Sequence, residues 1–278
     1  MGMSNVNLDI PLMFISEYHM SMRKFLILLL FFCLKLHASE TCILEPSNLE
    51  VRYAVSFDNA YKKQPGQMGS NIYILRCGKT KSQYFCYENL RQDSLNSVPG
   101  GHKILFDETM AWTSHPEDFS KWPTYTPSYG EYLYRNMSDG MLTIYTSSMG
   151  EKFKIFDNPK IEWNIIEDSV KTFLGYDCQM AETKFRGRSW KVWFALDIPV
   201  AIGPWKFAGL PGLILQAESI GFLNIEAYKI ITKGLTPIKY YDYYKKNTEI
   251  DREKFLRESS NPARYPKGTL MTPQMELE

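Results

Sequence analysis

Few side chains in this sequence have the type and spacing that catalysis or metal binding requires. Outside the N-terminal leader described below, the only histidines are His102 and His115, and neither belongs to a His-Glu-x-x-His or comparable metal-binding pattern. His115 and Glu117 could ligate a metal together, but a solvated surface position is the favoured interpretation. Neighbouring carboxylates such as Glu167 and Asp168 do not indicate a pair that faces across a scissile bond. Because no nucleophile elbow, phosphate loop or dinucleotide fingerprint occurs, the sequence predicts no catalytic residue, no metal ligand and no cofactor, and it favours a protein that is not an enzyme without excluding one.

Aromatic side chains are concentrated between Val98 and Tyr129, in a segment too long for an ordinary connection. The rings of Trp112, Trp122, Tyr125 and Tyr129 could stack on a sugar or another flat ligand. The alternative, which we favour, is that these rings cover an otherwise exposed end of the domain.

The N-terminal residues have the layout of a secretory signal peptide. A basic pair precedes the apolar run Phe25–Leu34, and a small residue, Ala38, follows it. The run is about half of the ~20 residues that a membrane-spanning helix needs, and no later segment is long and apolar enough to cross a bilayer. We therefore expect a signal peptide over residues 1–38, with Met20 or Met22 as alternative starts, and a mature chain that is periplasmic or secreted.

Removal of the leader takes away three of the 32 Lys and Arg residues and two of the 31 Asp and Glu residues, which leaves 29 of each sign. Because phosphate binding needs a basic excess on some face, a nucleic-acid partner is disfavoured. The mature length suffices for one large domain. We expect a single β-rich domain over residues 39–258 and a polar, Pro-rich, flexible tail over residues 259–278.

Four cysteines remain after the leader, and an even number in an exported chain suggests two disulfides. Cys77 and Cys86 flank a turn-like stretch, Gly78–Ser82, and could face each other across a hairpin, which would leave Cys42 to pair with Cys178. Alternatively, one or both pairs stay as buried thiols. No Cys-x-x-Cys occurs, so neither a zinc knuckle nor a thioredoxin-like site is indicated.

Most of the mature chain alternates between apolar and polar side chains with a period of two, and it is rich in aromatic and β-branched residues, as is typical of β-strands. Short Gly, Pro, Asn and Asp stretches separate the runs and favour antiparallel hairpins. The clearest hairpin turns at Arg186–Arg188, whose arginines could hold an anion or stay solvated. The predicted strands are Val51–Phe57, Asn71–Arg76, Gln83–Tyr87, Glu131–Arg135, Met141–Thr146, Lys152–Phe156, Val170–Leu174, Gln179–Phe185, Ser189–Asp197, Leu213–Glu218 and Leu223–Ile231.

One helix is predicted, with Thr248 as the cap of a run from Glu249 to Glu258. The predicted fold is mainly β: an antiparallel, strongly curved sheet or open barrel with a C-terminal helix.

The strongest local pattern surrounds a Gly-Leu-Pro-Gly turn. Pro211 has the φ required at the second residue of a type II turn, and Gly212 supplies the positive φ of the third. Three aliphatic residues, Leu213–Leu215, follow, so a chain reversal inside the core is the favoured role of the motif. Alternatively, the bare glycines let the backbone approach a ligand closely. The motif residues are Gly203, Pro204, Trp205, Gly209, Leu210, Pro211, Gly212, Leu213 and Ile214.

Residues Gly209–Ile214 spell GLPGLI, and the chain resembles the GLPGLI family of exported proteins, found mostly in one large group of Gram-negative bacteria. The similarity is clear over Lys171–Glu218 and fainter from Val51 onward. The resemblance implies export, a β-rich domain and frequent genomic association with outer-membrane transport receptors. It carries over no catalytic residue, because the family has none assigned. Further matching segments are Leu174–Gln179, Phe185–Arg188, Val192–Phe194, Ile198–Pro199 and Gly203–Phe207.

These observations favour a non-catalytic binding or accessory protein of the cell envelope, with a small ligand or an outer-membrane receptor for uptake as its partner. A ligand would sit on the concave face of the curved sheet. Two alternatives stay open. A hydrolase with an unfamiliar site should bring titratable side chains together in its largest pocket, whereas a structural envelope component should have a solid interior.

Overall fold

One extended sheet dominates the protein. The computed structural model describes residues 41–58, 71–96, 98–113, 131–148, 150–241, 246–265 and 274–278, so the expected signal peptide lies outside the described part of the chain. The strands are β1 (Thr41–Glu45), β2 (Leu49–Phe57), β3 (Asn71–Cys77), β4 (Lys81–Cys86), β5 (Tyr132–Asn136), β6 (Leu142–Ser148), β7 (Glu151–Asp157), β8 (Asn164–Phe173), β9 (Tyr176–Phe185), β10 (Arg188–Ala195), β11 (Leu213–Ser219), β12 (Leu223–Ile231), β13 (Ile238–Tyr241) and β14 (Thr248–Glu249). The helices are α1 (Tyr87–Asn96), α2 (Gly101–Thr113) and α3 (Arg252–Ser259), with a 3₁₀ turn at Pro262–Arg264.

Twelve strands form the sheet, in the spatial order β14-β7-β6-β5-β4-β3-β2-β12-β11-β10-β9-β8. Neighbouring strands are antiparallel, except that the two residues of β14 run parallel to β7. Short links suit this arrangement, since parallel neighbours need a crossover of a dozen or more residues. The prediction of an antiparallel, mainly β fold is confirmed, but the sheet is not closed into a barrel within the described residues.

All eleven predicted strands are present, and the bounds of β12 are those predicted. The predicted and observed bounds differ most for β8, which begins at Asn164 and not at Val170. A bulge between Ile166 and Val170 interrupts the alternation of apolar and polar residues in this strand. The sequence analysis missed β1, β13 and β14. The first two pair with each other as a separate antiparallel ribbon.

The inward face of the sheet supplies one continuous core from both of its halves. Alternate residues of β2 are buried, and one of them, Tyr53, belongs to the same hydrophobic cluster as Ile155 of β7 and Trp190 of β10. Strands β7 and β10 are eight places apart in the sheet order. Asp157 at the end of β7 and Arg186 just before β10 nevertheless form an ion pair of 2.7 Å, so the sheet bends until these two parts of it meet.

A smaller aromatic cluster lies on the opposite face of β3 to β6. The ring of Phe85 stacks on Tyr132, and the hydroxyl of Tyr134 donates to the Lys239 carbonyl oxygen at 2.7 Å. Ile238 of β13 and Leu90 of α1 pack onto this cluster. The β1–β13 ribbon and α1 thus cover the outer face of the central strands.

The structure contains two helices that were not predicted, and one of them replaces part of the predicted aromatic loop. Helices α1 and α2 were not predicted, and α2 occupies residues that were assigned to the loop from Val98 to Tyr129. In α1, Leu90 is the apolar residue that packs on the sheet, so the sequence shows almost no helical periodicity. No helix in the described part of the chain is long and apolar enough to span a membrane.

The third helix begins later than predicted. Thr248 and Glu249 pair with β7 and so cannot start a helix. Asp251 caps α3 instead, since its carboxylate accepts the Lys254 N–H at 3.0 Å. The prediction of Thr248 as the cap was wrong.

The four described cysteines are thiols, so the structure contains neither predicted disulfide. In the β3–β4 hairpin Cys77 lies opposite Ser82, whereas Cys86 lies opposite Tyr73. The two sulfur-bearing residues are therefore four residues apart along the hairpin, about 13 Å at ~3.3 Å per residue, while a disulfide needs Cα atoms within about 7 Å. Cys42, the expected partner of Cys178, is exposed in the separate β1–β13 ribbon.

The Gly-Leu-Pro-Gly motif belongs to the link between β10 and β11, but it is not the predicted type II turn. The positive φ, 97°, is at Gly209, and Gly212 is not among the residues with positive φ. A Cβ atom on Gly212 would overlap the carbonyl oxygen of Ala195. Glycine is required there because two main-chain segments meet closely in the core.

Candidate functional site

The inward face of the sheet leaves a small, mostly apolar cavity of about 30 Å³. Strands β2, β3, β4, β5 and β12 supply its walls, because their inward-facing residues alternate with outward-facing ones. Its lining residues are Val55, Phe57, Tyr73, Tyr84, Glu131, Leu133, Trp205, Ile225 and Met275. Room therefore remains between the two halves of the sheet, and one carboxyl group faces it.

Glu131, just before β5, supplies that carboxyl group. Its side chain is half-buried: part of it faces the cavity, and protein atoms surround the rest. Its pKa is raised to about 7: burial is the main cause, the Lys206 ammonium opposes the shift, and the neighbouring carboxylates of Glu276 and Asp157 add to it. At neutral pH this group is therefore partly protonated and can both donate and accept a proton.

A buried ion-pair cluster lies beside the cavity, centred on Lys206 in the link between β10 and β11. Its ammonium is 2% exposed and contacts two carboxylates, Asp157 Oδ2 at 2.9 Å and Glu276 Oε1. The guanidinium of Arg135 donates to the Lys206 carbonyl oxygen at 2.7 Å and fixes the main chain from which the ammonium extends. Both partners of each of these ion pairs are buried. Removal of one partner would leave an unpaired charge in the interior and so destabilise the folded protein.

Two arginines complete the cluster. Arg186 donates to Asp157 Oδ1 at 2.7 Å, and Arg252, the first residue of α3, donates to Glu276 Oε2 at 2.8 Å. Burial alone would raise the pKa of Asp157, but Lys206, Arg186 and Arg252 together hold it below its usual value. Three cations thus contact two buried carboxylates, and a third carboxylate, that of the exposed Glu253, lies 3.9 Å from Arg252.

Residues Gln274–Glu278, which we call the 274–278 segment, bring Glu276 into this cluster. Arg188 donates through Nε to the Met275 carbonyl oxygen at 3.2 Å and through Nη2 to the Gln274 carbonyl oxygen at 2.6 Å. The Leu277 N–H donates to the Arg186 carbonyl oxygen at 3.1 Å. The sequence analysis assigned these residues to a flexible tail, whereas here they make main-chain, apolar and ionic contacts with the domain.

Trp205 joins the cavity to the ion-pair cluster. Its φ is +54°, a left-handed value that a bulky residue adopts only under strain. The indole packs against Trp190 and Phe207, with ring centroids 5.7 Å and 5.3 Å away, and its main chain forms a hydrogen bond with Tyr84. The packed rings hold this backbone in place and so direct the neighbouring Lys206 inward.

The structure brings together only part of the predicted site. Trp205 of the motif lines the cavity. Arg186, for which an anion ligand and a solvated side chain were both left open, holds the carboxylate of Asp157. Of the loop aromatics, Trp112 lies in α2 without a described side chain, and the others fall outside the described residues, as do His115 and Glu117. In the part of the chain that is described, no three His, Cys, Asp or Glu side chains are arranged to hold a metal ion.

Five of the six charged groups that define the site were not predicted: Glu131, Asp157, Lys206, Arg252 and Glu276. They are far apart in the sequence, and an isolated carboxylate such as Glu131 resembles any surface residue. One signal was available, because Lys206 lies between Trp205 and Phe207 in an otherwise apolar stretch. A charge in such a position is either exposed or paired in the interior.

Comparisons with known proteins place part of this chain near a family without a known function. Two solved structures of PNGF-II, in the C2 and P21 space groups, align with TM-scores of 0.46 and 0.47 at 18% identity. These alignments cover 75% and 77% of this chain but 32% and 33% of the other, so the chain spans about a third of the length of that protein. No curated protein matches. A family model described as "Protein of unknown function (Porph_ging)" matches residues 167–216, and over those residues the chain is similar to that family.

Proposed function

We propose that the protein is a non-catalytic binding protein of the cell envelope, whose interior site holds a ligand that has both an apolar group and a carboxylate. One observation carries this proposal: an apolar cavity adjoins a cluster in which three cations face two carboxylates. One of those carboxylates, Glu276, comes from a short segment rather than from the sheet. Without that segment, Asp157 is the buried carboxylate in contact with Lys206 and Arg186, and Arg252 approaches the exposed Glu253 at 3.9 Å.

Such a site selects its ligand by charge as well as by shape. A buried ammonium and guanidinium need an anion, because an uncompensated buried charge costs about 3–5 kcal/mol. The cavity of about 30 Å³ has room for about one or two water molecules, so an apolar group would enter by taking the place of the Met275 side chain that lines it. A ligand with only one of the two features would leave either the cations or the cavity unsatisfied.

The test is ligand capture followed by native mass spectrometry. Val55→Phe would place a ring in the cavity and should weaken binding of any captured ligand at least tenfold, at a stability cost of about 1–3 kcal/mol. Val170→Phe is the matched control, because Val170 is exposed on β8. Equal ligand occupancy in both variants would refute the cavity as the binding site, and robust turnover across an esterase, peptidase and glycosidase panel would refute a non-catalytic role.

Export and an envelope location are part of the same proposal, and the N-terminal leader supports them. We expect the exported protein to begin at Ser39 after cleavage behind Ala38. Mass spectrometry of the protein from the periplasm or the medium would measure this. A chain that keeps residues 1–38, or that stays in the cytoplasm, would contradict it.

The GLPGLI family is the assignment that we propose for the chain. The matched residues 167–216 contain the hexapeptide Gly209–Ile214 and most of the segments that carry the resemblance. The link to an outer-membrane uptake receptor rests on that resemblance alone. Co-purification of such a receptor from the native envelope would test it.

A hydrolase is the second candidate, because titratable groups do meet at the cavity. Glu131 has a pKa of about 7 and faces the free space, as a general acid or base would. The described cavity wall, however, contains no serine, threonine or cysteine that could act as a nucleophile beside it. A purely structural role predicts a solid interior, and the ligand-capture experiment tests it, because the cavity of about 30 Å³ has room for about one or two water molecules.

A further inference from the structure

We propose that the 274–278 segment occupies a peptide-binding site, and that its ligand is an extended acidic peptide from another protein that exchanges with the segment. This inference rests on the proposed function and specifies its ligand class. The ligand would carry a flexible apolar residue followed directly by a glutamate, as Met275 and Glu276 do.

Main-chain recognition distinguishes a peptide from a small carboxylate. Arg188 donates to two successive carbonyl oxygens, those of Gln274 and Met275, and the Arg186 carbonyl accepts the N–H of Leu277. Every extended peptide offers these carbonyl and N–H groups in this order, whereas a small apolar acid has none of them. These three hydrogen bonds would have no partner in such an acid.

Side-chain recognition is confined to two positions. Met275 reaches the cavity beside Glu131, and the Glu276 carboxylate, 6% exposed, meets Lys206 and Arg252. By contrast, Leu277 is 62% exposed. The site therefore reads an apolar residue and the glutamate that follows it, and it tolerates variation at the next residue.

The receptor groups are held by the domain and not by the segment. The Arg188 guanidinium lies over the Phe222 ring, 3.5 Å from its centroid, and Arg186 is anchored by Asp157. The Arg186 Nε has no hydrogen-bond partner within the described residues and lies 3.7 Å from Glu276 Oε2, so the segment leaves one donor unused. A preorganised receptor loses little conformational freedom when one peptide replaces another.

Charge determines which peptides can replace the segment. Departure of Glu276 would leave Asp157 as the carboxylate in contact with Lys206, and the exposed Glu253, 3.9 Å away, as the carboxylate nearest to Arg252. A peptide that brings its own glutamate restores both ion pairs, so the exchange preserves the buried charge balance. A neutral peptide would leave buried cations uncompensated and cannot compete.

The experiment measures binding of a fluorescent Gln-Met-Glu-Leu-Glu peptide to the full chain by anisotropy. Leu277→Pro removes the N–H that bonds to Arg186 at an exposed residue, so it should loosen the segment and leave the core intact. We expect the peptide to bind this variant at least tenfold more tightly than the wild type. Peptides with Met→Ala or Glu→Gln should bind at least tenfold more weakly than the parent peptide.

Two further measurements keep the inference testable. Hydrogen exchange of the Leu277 amide in the wild type should accelerate when the peptide is saturating, which does not depend on any variant. Equal affinity of Leu277→Pro and wild type, equal affinity for the Glu and Gln peptides, or an unchanged exchange rate would overturn the inference. A wild-type dimer that the peptide dissociates, seen by light scattering, would assign the site to a second copy and would also overturn it.

Phenylbutyrate, an apolar carboxylate without a peptide main chain, separates the two proposals. If it binds Leu277→Pro as tightly as the peptide does, the interior ligand site stands and the peptide inference fails. If neither compound binds, both proposals fail.

Discussion

Replacing Glu131 by glutamine should stabilise the protein above neutral pH and change it little near pH 4.5. Burial raises the pKa of Glu131 in the folded state from 4.5 to about 7, whereas in the unfolded chain the carboxyl titrates near its ordinary value. Between these values the folded protein keeps a proton that the unfolded chain has lost. The contribution of this group to stability is therefore complete below pH 4.5 and is lost as the pH rises through about 7.

The magnitude follows from the width of this pH window. A shift of one pKa unit corresponds to about 1.4 kcal/mol, so the shift from 4.5 to about 7 amounts to on the order of 3 kcal/mol above pH 7. Because Glu131 keeps some accessible surface in the cavity, solvent screening lowers this to about 2–3 kcal/mol. For a chain of this size that corresponds to a melting temperature roughly 4–12 °C higher in Glu131→Gln at pH 8.

The assay is urea unfolding of the wild type, Glu131→Gln and Glu167→Gln at half-unit intervals from pH 4.5 to 8.5. Glu167 is exposed on β8 and serves as the matched control. The difference between the wild type and Glu131→Gln should grow across this range and level off above pH 7.5. Parallel stability curves for these two proteins would show that burial does not hold the proton on Glu131, and the reasoning would fail.

Two further substitutions test the buried ion pairs and the Gly-Leu-Pro-Gly link. Lys206→Met leaves two buried carboxylates facing each other and should lower the free energy of unfolding by about 3–5 kcal/mol. The control, Lys254→Met at an exposed site, should change it by less than ~0.5 kcal/mol. Similar changes for both variants in chemical denaturation would contradict the ion-pair argument. Gly212→Ala should lower the free energy of unfolding by about 1–3 kcal/mol or more, because its methyl group overlaps the Ala195 carbonyl. Gly150→Ala should lower it by only about 1 kcal/mol, because nothing lies within 4 Å and the loss comes from the left-handed φ alone. Calorimetric melting that ranks these two glycine variants in the opposite order would refute the close-approach explanation.

The strands could be predicted because burial imposes a visible pattern on the chain. In β2 the buried and half-exposed positions alternate, as the pleat of a sheet requires. The same alternation in β12 allowed both ends of that strand to be predicted correctly. The rhythm fails where geometry is irregular, as at the bulge after Ile166. It is also too short to recognise in the five residues of β1 or the four of β13.

The site could not be predicted, because it depends on curvature and not on local sequence. Asp157 ends β7, and Arg186 lies at the turn that leads into β10, eight strands away in the sheet order. Only a sheet that bends back on itself joins them, and no local pattern encodes the extent of the bend. The motif indicated that Gly212 is important. The reason, its close approach to the carbonyl of Ala195 at the end of β10, was visible only in the structure.

The β1–β13 ribbon imposes an order of events on the emerging chain. Thr41 pairs with Tyr241, some 200 positions later, so the first strand to appear has no partner until nearly all of the polypeptide has left the ribosome or the translocation channel. The aromatic patch that this ribbon covers stays uncovered for the same interval. Contacts between such distant positions slow folding, and a nascent chain with an open strand edge is prone to aggregation. β1 therefore waits for its partner much longer than the strands of the main sheet, most of which pair with a strand that follows them closely in the sequence.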